Sequence, residues 1–231
     1  MRNVFLFILF AFFSFTELYG QKKGFVTVKT GENIMDVLPT AEVFYYPVFT
    51  KSTVYRKDGT MAEAKMNYNR LVDEIHFISP KGDTLALADE ETIKYVAIEK
   101  DTFCFDKGYL RLLTMGKKGK IAVKQLWEIA NTRQLGAYNS TNATASVTSF
   151  TSMNEGGRLY DLTVNADVVL AKTEKFYLGN DKGQFALAGK KKLMALFPKE
   201  EKAIGAYLKE NKIDFANRAD LTRMIQFLEQ L

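Results

Sequence analysis

The sequence predicts an α+β protein that is mainly antiparallel β, arranged as a meander, a sandwich or an open barrel, with a C-terminal helical pair. Three observations predict this class. Short β-rich runs broken by glycine-containing turns fill residues 24 to 123, no long helical pattern separates these early runs, and amphipathic helical patterns end the chain. Parallel strands need long crossover connections, so antiparallel hairpins are favoured.

The predicted strands are rich in β-branched and aromatic residues. The first set lies at 25–29, 43–49, 52–56, 62–67, 74–78, 84–87 and 93–99, and a second set at 159–164, 168–171, 174–178 and 184–188. Turns at 57–59, 80–83, 106–108, 117–119 and 179–183 contain glycine, which reaches the positive φ values that tight reversals need. The polar contrast within the strands is too small to predict which face is buried.

Residues 136–157 differ in composition from the rest of the chain. Seventeen of these twenty-two residues are Gly, Ala, Ser, Thr or Asn. Such a segment has little apolar surface to offset the entropy of ordering, which predicts a solvated loop. Its larger apolar side chains leave a polar-faced hairpin or a lid as alternatives: Tyr138, Val147, Phe150 and Met153.

The segment from about 190 to 231 carries helix signals. Pro198 followed by Glu200 and Glu201 suits the first turn of a helix, where the dipole favours acidic groups. Asn217 is placed to cap a second helix, with Asp220 three residues later. The apolar positions of the two helices fall at helical spacing: Ala203, Ile204, Tyr207, Leu208, Leu221, Met224, Ile225, Leu228 and Leu231.

Residues 1–20 have the pattern of a signal peptide. Arg2 precedes an almost unbroken apolar run at 4–15, and Gly20 is a small residue at the expected cleavage site before Gln21. A helix of this run spans about 18 Å, against a hydrocarbon core of roughly 30 Å, so an uncleaved anchor is the weaker alternative. A lipoprotein is disfavoured because no cysteine lies near the cleavage site. The sequence therefore predicts a single β-rich domain at 21–231 after cleavage.

The predicted location limits the choice of partners. The mature chain keeps a net charge of +5, because the removed segment contains one Arg and one Glu. It has no later apolar run long enough for a membrane helix, so we expect a soluble protein in the periplasm or outside the cell, with outer-membrane association as an option. Export disfavours nucleic acid as a partner and leaves an envelope protein, anionic headgroups or a polyanionic glycan. Cys104, the only cysteine, is interpreted as a half-buried hydrophobe.

No catalytic, cofactor-binding or metal-ligating residue is assigned from the sequence, and no cofactor is expected. His76 is the only histidine and lies in an apolar strand, so a structural role is favoured. The chain has neither a Gly-x-Ser-x-Gly elbow nor a Cys-x-x-Cys pair. The carboxylates at 89–91 and 200–201 suit a turn and a helix start better than an acid and base pair. Whether the protein is an enzyme stays open, with a noncatalytic role favoured.

Three further segments have a structural and a functional interpretation. The Gly-Lys-Lys-Gly-Lys segment at 116–120 lacks the spacing of a nucleotide-binding loop, and a hairpin turn is favoured over a phosphate site. The lysines at 190–192 form a second basic cluster, interpreted as solvated surface. Asn67 and Asn69 around Tyr68 suit a strand end where amide side chains bond the backbone of a turn, rather than a ligand contact.

Several short segments also carry a resemblance. They lie at 55–59 (Tyr-Arg-Lys-Asp-Gly), 66–69 (Met-Asn-Tyr-Asn), 73–75, 101–103, 175–178, 190–192, 196–198, 207–209 and 220–221. In this pattern the chain resembles uncharacterised exported proteins of Bacteroidota-type Gram-negative bacteria, whose function is unknown. The resemblance implies export and no particular activity. The Asp-Thr-Leu at 83–85 is similar to the acceptor motif for O-linked glycans in such bacteria, although a turn is the favoured role of Asp83.

Three functional hypotheses follow. The leading one is an exported noncatalytic module that binds an envelope component or a small ligand, in the sheet or between sheet and helices. The second is an enzyme whose site is assembled from dispersed Asp, Glu, Tyr and Lys residues; a concave pocket with at least two inward carboxylates would favour it. The third is an accessory subunit of an outer-membrane assembly.

Overall fold

The computed structural model of the chain describes residues 24–135, 141–144, 148–149 and 162–231. The predicted signal peptide at 1–20 lies outside the described residues. Most of the segment predicted as a loop at 136–157 also lies outside them. Its described parts, Thr141–Thr144 and Thr148–Ser149, are short strands.

The described strands form one open antiparallel sheet. In chain order they are β1 Phe25–Val28, β2 Thr50–Arg56, β3 Met61–Asn69, β4 Glu74–Ile78, β5 Thr84–Ala86, β6 Ile93–Ile98, β7 Asp101–Phe105, β8 Tyr109–Met115, β9 Gly119–Leu135, β10 Thr141–Thr144, β11 Thr148–Ser149, β12 Asp167–Asn180 and β13 Phe185–Leu187. Their order in the sheet is β1-β12-β9-β8-β7-β6-β2-β3-β4-β5, with β10 and β11 against β9 and β13 against β12. The predicted α+β class with antiparallel strands is therefore confirmed.

The described helices lie at the two ends of the described chain. They are α1 Ile34–Val37, α2 Thr40–Val43, α3 Lys190–Leu196, α4 Glu201–Glu210 and α5 Arg218–Gln230. The helices predicted after Pro198 and Asn217 correspond to α4 and α5, and the short α3 precedes them. The Asn217 side chain accepts hydrogen bonds from the backbone N–H groups of Ala219 and Asp220, so it caps α5 as the sequence predicts.

The strand predicted at 43–49 is wrong, and the reason lies in one side chain. Val43 ends α2, and Phe44 makes only an isolated bridge to Asn69. The Asn67 side-chain oxygen accepts from the Tyr46 N–H at 3.0 Å, and its amide nitrogen donates to the Tyr46 carbonyl at 2.8 Å. Asn67 thus supplies the donor and the acceptor that a neighbouring strand would otherwise offer Tyr46.

Other differences concern strand length. The predicted runs at 168–171 and 174–178 belong to one strand, β12, because the polar residues between them continue the pairing with β9. Strands β7, β8 and the longest strand, β9, lie between residues 99 and 136, for which the sequence gives turns but no strand assignment. At 159–164, the described part contains only an isolated bridge between Thr163 and Asn33.

The buried side chains form three clusters. The first packs α1 and α2 against β1, β9 and β12, and it contains Val28, Ile34, Leu38, Val43, Trp127 and Leu170. The second joins strands β2 to β4 and β6 to β9 through Tyr46, Val54, Met66, Tyr68, Ile75, Val96, Phe103 and Tyr109. The third lies between β9, β12 and the C-terminal helices, and contains Ile121, Val123, Phe176, Leu178, Leu193, Ile204, Leu221, Met224, Ile225 and Leu228.

The β8–β9 turn at 116–120 is tied to α5 by a single carboxylate. Glu229 accepts backbone hydrogen bonds from Lys117 at 3.1 Å, Lys118 at 2.8 Å and Gly119 at 3.0 Å. These bonds, of which the one from Gly119 contributes most, hold the pKa of Glu229 below its ordinary value. The segment is thus a hairpin turn, and three of its backbone donors are already occupied by a protein carboxylate.

We expect Glu229→Gln to destabilise the protein in a pH-dependent way. Because the pKa of Glu229 is lowered on folding, its contribution is present above the ordinary carboxyl pKa and is lost as the pH falls through the lowered value. Urea unfolding at pH 7 should show a loss of roughly 1 kcal/mol, a value discounted for the exposure of the carboxylate. The difference should shrink at pH 3. Glu210→Gln, at an exposed position of α4, is the control, and an equal effect of both variants would contradict the tie.

Candidate functional site

Three depressions on the described surface are large enough to hold a small molecule. We call them the apolar groove, the ion-pair cleft and the lysine-rimmed pocket, with volumes of about 620, 530 and 740 Å³. They differ in the charge of their walls. This difference decides which of them is suited to a ligand.

The apolar groove lies over strands β2 to β5. Val54, Met66, Phe77 and Leu85 contribute to its wall, and Leu85 on the edge strand β5 is 48% exposed. The charged residues that line the groove are Arg56, Glu63 and Asp89. Its one basic and two acidic side chains leave an excess of only one negative charge, which is too small to select the charge of a ligand.

The ion-pair cleft is built around Asp73, which is buried and follows β3 in a left-handed conformation with φ of 58°. One carboxylate oxygen accepts from the Tyr68 hydroxyl at 2.7 Å and from the Tyr109 N–H at 3.1 Å, and the other accepts from the Lys124 ammonium at 2.6 Å. Burial raises the pKa of Asp73 above its ordinary value, and Lys124 with the two hydrogen bonds offsets part of this rise.

A second ion pair stands beside the first. Glu128 is buried and accepts two hydrogen bonds from the Lys175 ammonium, at 2.7 and 2.9 Å. Lys124 and Lys175 lie directly opposite each other on β9 and β12. Two like charges in this arrangement repel, so the paired carboxylates Asp73 and Glu128 are what allow the two lysines to be neighbours.

The cleft partly matches what the enzyme hypothesis requires, since it gathers Asp, Glu, Tyr and Lys residues that are far apart in the sequence. Its wall contains Asp73, Glu74, Glu90, Lys107, Lys124, Glu128, Lys175 and Tyr177. However, its two buried carboxylates are already bonded to lysines and, for Asp73, to the backbone and a tyrosine as well. These saturated groups suit a structural network better than proton transfer.

His76 and Cys104 have surroundings that fit structural roles. His76 is buried in β4, with its Nε2 3.0 Å from a Glu74 carboxylate oxygen and its ring against Phe44. The Cys104 thiol donates to the Leu110 carbonyl at 3.7 Å, and burial raises its pKa to about 12. Because a thiolate is the reactive form, this shift makes the thiol unreactive near neutral pH. Both findings agree with the sequence interpretation.

The lysine-rimmed pocket lies where the β12–β13 hairpin meets strands β6, β7 and β8. The side chains that line it fall into two groups, which we call the floor and the rim. The floor comprises the apolar, mostly half-buried residues, which include Tyr95, Cys104, Phe105, Leu112 and Phe185, together with the exposed Met115. Its rim carries four lysines, Lys57, Lys94, Lys120 and Lys182, and one acidic residue, Asp181. The pocket therefore combines an apolar floor with a clear excess of positive charge.

The hairpin that closes one side of the pocket is held in place by specific contacts. Asn180 and Gln184 bond to each other across the turn, and the Phe185 N–H donates to an Asp106 carboxylate oxygen at 3.0 Å. The Phe185 ring lies over Gly179 so closely that an added Cβ there would come within 2.5 Å of it. Gly179 is therefore required for this position of Phe185, and hence for the shape of the floor.

The four rim lysines differ in one respect from Lys124 and Lys175 of the ion-pair cleft. Among the residues that the structure describes, none of the four is within ion-pair distance of a carboxylate. Lys120 donates to the Asn180 carbonyl at 2.9 Å, and Lys94 lies 5.9 Å from the centre of the Tyr95 ring. The positive charge of the rim is thus available to a ligand.

The sequence analysis singled out only part of this site. The 116–120 segment supplies Lys120, and the 57–59 turn supplies Lys57. The 179–183 turn supplies Lys182. Lys94 carries no sequence signal, because it is an isolated lysine within a strand. The 190–192 cluster is exposed on α3, away from the pocket wall. Of the acidic pairs, Glu90 lines the ion-pair cleft. Glu200 and Glu201 lie at the start of α4 as the sequence predicts, as N-cap and first helical residue, whereas Pro198, predicted in the first turn of this helix, lies in the turn before it.

The predicted turn roles of Asn69 and Asp83 also hold in the structure. The Asn69 side-chain oxygen accepts from the Leu71 N–H at 2.9 Å, immediately after β3. Asp83 exchanges hydrogen bonds with Ser79 in the β4–β5 turn, through its N–H and its carbonyl. Tyr68 between the two asparagines is buried in the second cluster, so its predicted packing role is confirmed.

Comparisons with known proteins add no assignment to this site. No protein family, no curated protein and no solved structure matches the chain. In the described part of the chain, no group of three or more His, Cys, Asp and Glu side chains could hold a metal ion. None of the helices described there has the length and apolar character needed to cross a bilayer.

We expect Asp73→Asn to cost about 3 to 5 kcal/mol of unfolding free energy, because it leaves the Lys124 ammonium in a buried position without its counter-charge. Asparagine keeps the left-handed backbone at this position, so the variant removes the charge and leaves the turn intact. Urea unfolding measures the loss. The double variant Asp73→Asn with Lys124→Met should recover more than half of it, and a single variant as stable as the wild type would contradict this role of Asp73.

Proposed function

We propose that the protein is an exported, noncatalytic β-rich module that binds a small ligand of the cell envelope in the lysine-rimmed pocket. The observation that carries the proposal is the pocket itself, which is lined both by apolar side chains and by four lysines without carboxylate partners among the described residues. Sites for small ligands are concave and mainly apolar, with a few convergent polar groups that select the ligand.

The state of the ionisable groups supports binding over catalysis. A catalytic acid, base or nucleophile needs a group free to react with a substrate. The buried carboxylates Asp73 and Glu128 are occupied by lysines, and the thiol of Cys104 on the pocket floor has its pKa raised to about 12. The pocket therefore offers charge and apolar contact without an activated group.

The amino-terminal sequence supports the envelope as the source of the ligand. The charged residue, the apolar run at 4–15 and the small residue Gly20 have the order of a cleavable signal. The resemblance to exported proteins points in the same direction. In that location nucleic acid is not an available partner, whereas envelope lipids, glycans and their precursors are.

The proposal is tested by ligand capture. Purified protein of residues 21–231 is incubated with a small-molecule extract of the envelope, separated from unbound compounds and examined by mass spectrometry. Leu112→Trp and, separately, Thr102→Phe fill the pocket, and Val48→Trp at a 66% exposed position elsewhere is the control. We expect one class of compound to be retained at least tenfold more by the wild type and the control than by either filling variant.

Two outcomes of this experiment would contradict the proposal. Equal retention by the filling variants, with melting temperatures that show them to be folded, would place binding elsewhere. Recovery of a stoichiometric envelope protein from whole extract, with no small molecule retained, would instead favour the accessory-subunit hypothesis.

Export is tested separately. When the full chain is produced in a Gram-negative host, we expect a periplasmic or secreted product that begins at or within a few residues of Gln21. Ile8→Arg should keep the uncleaved chain in the cytoplasm, because a charge interrupts the apolar run. N-terminal sequencing and fractionation give the result. An uncleaved wild-type chain that stays in the inner membrane would show an anchor instead.

A further inference from the structure

The rim of the pocket selects the charge of the ligand. Lys57, Lys94, Lys120 and Lys182 face one acidic residue, Asp181, so the rim carries an excess of three positive charges. In the ion-pair cleft, by contrast, the positive charges of Lys124 and Lys175 are each paired with a carboxylate. An anionic group at the rim would give these lysines the counter-charge that no described residue within ion-pair distance provides.

The floor selects the rest of the ligand. Phe105, Leu112, Met115 and Phe185 offer apolar surface, and Met115 is 66% exposed at the edge of the depression. A purely polar anion, such as a phosphate or a glycan, would leave this surface in water. An alkyl chain would cover it and gain free energy with each buried methylene.

The size of the pocket favours a ligand with a single alkyl chain over a membrane surface. Its volume of about 740 Å³ is that of a site for a single small molecule, within the range of roughly 300 to 1,000 Å³ usual for such pockets. Apart from Met115, the apolar residues that line the pocket are at least half-buried, whereas three of the four lysines are exposed. A bilayer would instead require the apolar groups to project beyond the charged ones so that they reach the hydrocarbon.

We propose that the ligand is a single-chain amphiphile with an anionic head, of the class of medium- or long-chain carboxylates. The head lies among Lys57, Lys94 and Lys182, and the chain lies on the floor between Leu112 and Phe185. This inference rests on the proposed function and specifies the ligand of the same pocket. Lys120 supports the hairpin through the Asn180 carbonyl as well as adding charge.

The test is calorimetric titration of residues 21–231 with octanoate, decanoate and dodecanoate below their micelle concentrations. We expect the affinity to rise by up to about fourfold for each added methylene until the floor is covered. Decanol should bind about tenfold more weakly than decanoate, and decylammonium should bind less than either. Affinity for decanoate should fall with added salt, as the attraction of exposed charges is screened.

Two matched triple variants locate the head group. Lys57→Gln, Lys94→Gln and Lys182→Gln together should weaken decanoate binding about tenfold, the combined effect of three exposed charge interactions. The control replaces Lys190, Lys191 and Lys192 by Gln. It removes the same charge from an exposed cluster on α3, and should leave the affinity unchanged. Equal weakening in both triple variants would overturn the proposal.

The remaining outcomes separate this inference from the proposed function. Capture of an envelope compound that the filling variants lose, without binding of decanoate, would overturn the ligand class and leave the binding function standing. If the wild-type protein neither retains an envelope compound nor binds decanoate, the binding function itself is overturned. Binding to vesicles of phosphatidylglycerol without binding to the monomeric carboxylates would overturn the single-chain ligand in favour of a membrane surface.

Discussion

The pairing of β9 with β12 is the constraint on which the rest of the structure depends. The two strands pair in register from Gly119 with Asn180 to Arg133 with Asp167, with one irregularity between Val169 and Leu170. The C-terminal helices pack on Ile121 and Val123 near one end of this ribbon, and α1, α2 and β1 pack near Trp127 and Leu170 towards the other. Two of the three buried clusters therefore share one ribbon.

The same ribbon also places the charged groups. Because pairing puts Lys124 opposite Lys175, two carboxylates are needed there, and Asp73 reaches Lys124 from the end of β3. At the end where the ribbon stops pairing, β12 turns back into β13 and carries Asp181 and Lys182 to the lysine-rimmed pocket. The positions of the ion-pair cleft and of the lysine-rimmed pocket thus follow from the strand register. They do not depend on long flexible loops.

The parts of the fold that could be predicted are those in which the residues of one segment themselves indicate a helix or a strand. Helix α5 was predictable because Asn217 caps it and its apolar residues repeat at helical spacing, and β4 because its short apolar run is bounded by turns. The region of β9 mixes Lys124, Gln125 and Glu128 with apolar residues, and its strand character comes from pairing on both sides. The strand expected at 43–49 fails because Asn67, far along the chain, takes the hydrogen bonds of Tyr46.

The candidate site was largely beyond prediction for a related reason. Its four lysines come from a hairpin turn, β6, β9 and the β12–β13 turn, and what distinguishes them from other unpaired surface lysines is that they line one depression. Composition shows a net charge of +5 but cannot show which lysines lack a carboxylate. Pairing partners are set by tertiary contacts, as Lys175 shows, whose carboxylate lies 47 residues away on another strand.

The unpaired lysines of the rim affect the stability of the folded protein as well as the proposed binding. Bringing like charges together around a depression works against the compact state, and the chain pairs two such charges with carboxylates, at the largely buried Lys124 and the half-exposed Lys175. Around the pocket the lysines are solvated, so the cost of leaving them unpaired is small while water fills the site. An anion that binds there relieves the repulsion and adds its own attraction to the folded state only, because the unfolded chain has no pocket. The close contact of Gly179 with Phe185, which shapes the floor, is then the structural feature on which the proposed binding site depends.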